Sequence, residues 1–89
     1  MSELESRSPS EVVASVGELG QILRSKRRSL GFTLEQVAGL SGIGIRYLSE
    51  LERGKQTIEM GKALNVASCL GLEIVVRPRL GARRRSCDE

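Results

Sequence analysis

From residue 16 to residue 71 the chain alternates apolar stripes of helical period with short polar or glycine breaks. Val16, Leu19, Ile22 and Leu23 recur on one helical face, and Leu30 closes the stripe ahead of Gly31. A first helix is therefore predicted over about residues 16–30. Thr33 followed three residues later by Gln36 is a capping-box pattern, so a second helix opens there with Leu34, Val37 and Ala38 inward. Ser41 and Gly42 end it, and Gly42 supplies the left-handed backbone of a sharp turn. Ile43 points inward to plug the corner, and Gly44 serves as the next N-cap. A third helix is predicted over about residues 45–53. Leu48, Leu51 and Glu52 share its inner face, and Arg46, Ser49, Glu50 and Arg53 share its outer face. After Gly54, Thr57 is expected to cap a fourth helix over about residues 58–70, with Leu64, Ala67 and Leu70 inward and Gly71 as its end.

The pattern then changes period. Leu72, Glu73, Ile74, Val75, Val76 and Arg77 form a β-branched run closed by Pro78, which reads as a strand. A lone strand leaves its backbone groups unpaired. The simplest partner is the same strand of a second copy, paired antiparallel in a two-fold dimer. The alternative is an extended tail lying on the core. Residues 1–14 carry Pro9 and four serines and read as a polar arm, disordered or a short extra helix. Residues 79–89 are Arg-rich, end in acids and read as a disordered basic tail. The expected architecture is mainly α: one domain over 15–71, then a dimerisation strand over 72–78.

Composition narrows the function classes. With 89 residues there is room for one small domain. No stretch approaches the roughly 18 apolar residues of a membrane span, and the acidic, Ser-rich start lacks the basic and apolar blocks of a signal peptide, so a cytoplasmic location is expected. There is no histidine, and Cys69 and Cys87 lie far apart, so neither a zinc site nor another cofactor site is expected. Cys69 reads as a small core residue and Cys87 as a free tail thiol. No phosphate-cradling glycine loop and no paired carboxylates on a cleft face are present, which argues against an enzyme. The net charge is only +3, but Arg24, Lys26, Arg27 and Arg28 cluster, Arg53 and Lys55 follow, and Arg77, Arg79, Arg83, Arg84 and Arg85 load the end. Such clusters suit a polyanion.

Two short helices about a glycine turn, the second polar on one side, are the geometry that places a helix in the major groove of DNA. Arg46, in the first turn of the third helix and on its outer face, is the leading base reader, since guanidinium can donate twice to guanine. Ser49 can reach a base or a phosphate. Glu50 can accept from cytosine N4 or pair with Arg46 or Arg53 within the helix. Tyr47, at the edge of this face, either contacts the DNA backbone or packs. Thr33, Arg53, Lys55 and Gln56 flank the helix pair as candidate phosphate contacts, which fix register without reading sequence.

The stretch Gly31-Phe32-Thr33, Val37-Ala38, Gly42 and Leu48…Leu51-Glu52-Arg53-Gly54-Lys55 resembles the Cro/C1-type (XRE) helix-turn-helix family, over roughly residues 16–70. The resemblance implies a lambda-repressor-like bundle of four to five helices. The added strand and small size look most like HipB-type antitoxins. That likeness implies a homodimer joined by C-terminal strands, autorepression at a palindromic operator in double-stranded DNA, and a HipA-like Ser/Thr kinase toxin as partner. A Cro-like regulator without a toxin, or a toxin-binding module with secondary DNA binding, is the alternative. Many family members have Gln where Leu34 stands here; the Leu34 amide can still meet a phosphate at the helix N-terminus. The first recognition-helix position, often polar, is Ile45, which suits a thymine methyl group. A carboxylate on an inner face needs a partner. The family pattern pairs Glu52 with the position of Arg27, which implies a structural ion pair between the first and third helices.

Overall fold

A computed structural model describes residues 11–79, and the expectations for residues 1–10 and 80–89, Cys87 included, lie outside them. Four helices follow in order among these residues: α1 (Val16–Ser29), α2 (Leu34–Ser41), α3 (Ile45–Glu52) and α4 (Met60–Cys69). The core holds Leu23, Val37, Ile43, Leu48, Leu51, Ala63, Val66, Ala67 and Leu70, so every helix contributes one face and Ile43 fills the corner between α2 and α3.

Local chemistry sets the helix ends. Ser15 caps α1, its hydroxyl accepting from the Glu18 amide. Thr33 Oγ1 accepts from the Gln36 amide at 3.1 Å, and Gln36 Oε1 accepts from the Thr33 amide at 2.8 Å, a complete capping box. Gly42 leaves α2 at φ 75° with its amide bonded to the Ala38 carbonyl, which turns the chain directly into α3.

α1 and the end of α3 approach closely enough to exclude a side chain at two glycines. A methyl group added at Gly20 would lie 2.3 Å from the Leu51 carbonyl oxygen and 2.9 Å from that of Glu52. One added at Gly54, which sits at φ 81°, would lie 2.7 Å from the Gly17 Cα. Backbone therefore packs on backbone where α1 crosses the end of α3.

Three details differ from the sequence pattern. Thr57 is not the cap of the fourth helix: it stays exposed in a turn, and α4 starts at Met60 with Glu59 as its N-cap. Ile58 packs against the core ahead of the helix, and the extended backbone of the cap falls at Glu59. Leu64 is not an inner residue of α4 but is 45% exposed. The buried stripe is Ala63, Val66, Ala67 and Leu70, at i, i+3, i+4 and i+7. Ala63 is fully buried in that stripe. Leu30, expected to close the first apolar stripe, is also exposed, as the C-cap of α1. The run 72–77 forms no ladder among the described residues. Leu72 packs on the core, and residues 73–79 continue exposed and without regular structure, with Val76 at 94% exposure. A strand needs an edge to pair with, and the four helices present none.

Candidate nucleic-acid interface

α3 stands with Leu48 and Leu51 in the core and its opposite face open. Ile45 is exposed in its first turn, and the Arg46 side chain is 91% exposed. Ser49 is half-buried one turn on, and Arg53 is exposed just past the helix end.

Glu50 lies between two cations. One carboxylate oxygen is 3.5 Å from Arg46 Nε, and the other is 3.5 Å from Lys55 Nζ. The backbone brings Lys55 there: the Lys55 amide donates to the Glu50 carbonyl at 3.0 Å and the Gly54 amide to that of Leu51 at 3.0 Å. This closing turn of α3 folds the chain back over its own last turn. The Arg53 alternative for Glu50 is not used among the described residues.

Beside α3 lies a shallow pocket of about 240 Å³ lined by Arg24, Arg27, Leu34, Ser49, Glu52 and Arg53. The start of α2 faces it through Leu34. The amides of Leu34 and Glu35 belong to the first-turn set that has no intrahelical acceptor. Arg24 and Arg53 form no ion pair with another described residue. The pocket thus joins two exposed guanidiniums to the positive end of a helix, a combination suited to a phosphate oxygen. Sequence reasoning treated Arg24 as bulk charge. Its position three residues before Arg27 on α1 was the signal that it shares that side of the helix. Thr33, whose oxygen is occupied as the α2 cap, flanks the pocket's leading helix, and exposed Gln56 sits in the turn after Lys55.

The structure brings Arg27 and Glu52 together. Arg27 Nε donates to Glu52 Oε2 at 2.7 Å and Nη2 to Oε1 at 3.1 Å, while Nη1 donates to the Phe32 carbonyl at 2.7 Å. The two side chains are 13% and 11% exposed. Donation to Glu52 raises the Arg27 pKa above its ordinary value against the opposing effect of burial, and the attraction of the two charges adds to the rise. One guanidinium thereby ties α1, the Phe32 loop and the last turn of α3.

Tyr47 packs against the core, and its hydroxyl donates to the Glu59 carbonyl at 2.5 Å. Lys62 Nζ lies 5.5 Å from the ring centre and 3.7 Å from Glu59 Oε1. This places Tyr47 as a brace between α3 and α4. Burial first, and the Glu59 charge second, raise its pKa above the ordinary 10.0. The neutral phenol is the form favoured by folding. Its contribution to stability is complete below pH 10 and is lost as pH rises through the folded value. Tyr47 is the chain's one tyrosine. Tyrosinate absorbance should therefore rise with a midpoint above 10.0 in the folded chain and near 10 in denaturant. Equal midpoints would show that the ring is not held this way.

Cys69 is half-buried and free, its thiol 3.6 Å from Asn65 Oδ1. Among the described residues no group of His, Cys, Asp or Glu is arranged to hold a metal ion, and no helix is long and apolar enough to cross a membrane.

A helix-turn-helix family model matches residues 23–76. Over 74 residues the chain is 32% identical to an uncharacterized HTH-type transcriptional regulator, y4mF, of Sinorhizobium fredii, an alignment covering 82% of this chain and 95% of that protein. Over 56 residues it is 38% identical to the transcriptional regulator ClgR of Mycobacterium tuberculosis, covering 63% of this chain and 48% of ClgR.

Proposed function

We propose, from the premise that this chain belongs to the XRE-type helix-turn-helix family of DNA-binding transcriptional regulators, that it is a sequence-specific repressor that binds as a two-fold dimer. The observation that carries this reading is the outer face of α3. There Arg46 projects from the first turn into solvent, its Nε 3.5 Å from Glu50, on the helix that also borders the pocket at the start of α2. With α3 in the major groove, Arg46 and Ile45 face base edges, with Ser49 and Glu50 one turn on. The amide of Leu34, the side chains of Thr33, Arg53, Lys55 and Gln56, and Arg24 in addition, set the register on phosphates. Tyr47 supports the interface from behind through Glu59 rather than by touching the backbone of DNA.

The dimer reading rests on Ile74, Val75 and Val76, an apolar run that its own domain leaves uncovered. Pairing of this run across a two-fold axis would hold two copies of α3 about 34 Å apart, one turn of the double helix. The antitoxin reading, with a HipA-like kinase as second partner, rests on the resemblance to HipB-type regulators. It is tested by capturing the product of the neighbouring gene on this chain.

Footprinting on the chain's own promoter should reveal two protected half-sites of roughly palindromic sequence at that spacing. Arg46→Ala should weaken binding by about 1–3 kcal/mol and relax the preference at one position in each half-site. A variant that kept both affinity and preference would remove Arg46 from the reading role.

A further inference from the structure

Glu50 is a carboxylate placed where two independent effects oppose it. It lies in the last turn of α3, where the helix already presents carbonyl oxygens and where a negative charge is disfavoured. It also lies on the face that, under the DNA-binding reading, approaches a polyanion. The other carboxylate of that turn, Glu52, is accounted for by Arg27. Glu50 is half-buried, but its partners are surface cations, Arg46 at 91% and Lys55 at 51% exposure. Those two are the candidate base reader and a candidate phosphate contact.

We propose that Glu50 is a discriminator, a residue that masks Arg46 and Lys55 until the right base sequence is met. The inference rests on the DNA-binding reading of this face and goes beyond it. DNA of arbitrary sequence offers these cations phosphates only. Phosphates that draw them off Glu50 leave the carboxylate among acceptors with which it can form no bond. A sequence with guanine opposite Arg46 and cytosine within reach of Glu50 meets both groups at once. Guanine O6 and N7 accept from Arg46, and the cytosine N4 amino group donates to Glu50. The carboxylate so costs binding everywhere except at the cognate sequence, which is how a repulsive element produces specificity.

The full-length chain is first used to select its preferred sequence from random duplexes. Wild type, Glu50→Ala and Glu50→Gln are then compared on that sequence and on an unrelated duplex of equal length. Both variants should bind the unrelated duplex about 3- to 10-fold more tightly, since two surface ion pairs and one repulsion are removed. For Glu50→Ala the salt dependence on that duplex should steepen by about one unit of slope as the unmasked cations reach phosphates. Repeat selection with Glu50→Ala should lose a cytosine preference at one position per half-site. Unchanged affinity for the unrelated duplex, or an unchanged selected sequence, would overturn the proposal. A wild-type chain that selects no sequence at all would instead overturn the DNA-binding reading beneath it. Thermal unfolding of each variant guards against a folding defect. Glu50→Gln keeps the side chain's shape, so a loss of structure confined to Glu50→Ala leaves the test standing.

Discussion

Gly20→Ala should destabilise the domain by about 3 kcal/mol or more, measured by urea unfolding followed by helical circular dichroism. An alanine in the interior of a helix ordinarily stabilises it by about 0.5–1 kcal/mol relative to glycine. Here the new methyl group would sit 2.3 Å from the Leu51 carbonyl oxygen, and that oxygen belongs to backbone at the end of α3. No side-chain rotation relieves the overlap. Either α1 moves outward, opening the contact between Leu23 and the Leu48–Leu51 stripe, or α3 is pushed along its axis. Gly17 provides the control on the same helix. A methyl there meets only Ser15 Oγ at 3.7 Å, an ordinary contact, so Gly17→Ala should leave stability unchanged or raise it. If both variants unfolded at the same urea concentration, the backbone-on-backbone crossing would be wrong. The crossing also bears on DNA recognition, because it fixes how far α3 projects from α1, which contributes Arg24 to the same face.

The glycine crossing is the feature the sequence did not yield. Period and cap chemistry located the helix pair, because apolar spacing, a Thr–Gln capping box and a turn glycine are all local signals. Val37, Ile43, Leu48 and Leu51, legible as inward from spacing alone, are all buried. Gly20 carries no such signal: within a helical stripe a glycine reads as a neutral spacer until the partner backbone is known. Leu64 failed for a related reason. The helical period allows neighbouring faces one residue apart, and the one turned to the core carries Ala63 rather than Leu64. Thr57 has the propensity of a cap, but Ile58 after it packs on the core and the cap position falls to Glu59. At the interface the residue types were legible and their pairings were not. The contact of Glu50 with Lys55 depends on the backbone reversal at Gly54, which returns Lys55 to the helix it has just left.

Breaking the Arg27–Glu52 pair should be the second large perturbation, and its two halves should not cost the same. Glu52→Ala leaves Arg27 its bond to the Phe32 carbonyl and its place in the last turn of α1, where a positive charge is favoured. The expected loss is about 2–3 kcal/mol, below the range for a fully buried pair because both side chains retain some access to water. Arg27→Ala should cost more. It removes the bond to Phe32 and strands the Glu52 carboxylate at the C-terminal end of α3, where the helix field disfavours it. Glu52→Gln keeps the shape and one acceptor, so it should cost least. A double-mutant cycle built on the alanine variants should return a coupling of about 1–3 kcal/mol, since the two groups share two hydrogen bonds. A loss for Glu52→Ala under about 0.5 kcal/mol, the scatter of ordinary surface changes, would show that the pair does not hold α1 to α3. The same variants separate stability from recognition. Glu52 and Arg27 are among the residues that line the pocket, so loosening them should lower DNA affinity while leaving the selected base sequence unchanged, whereas a change at Arg46 should alter the sequence itself.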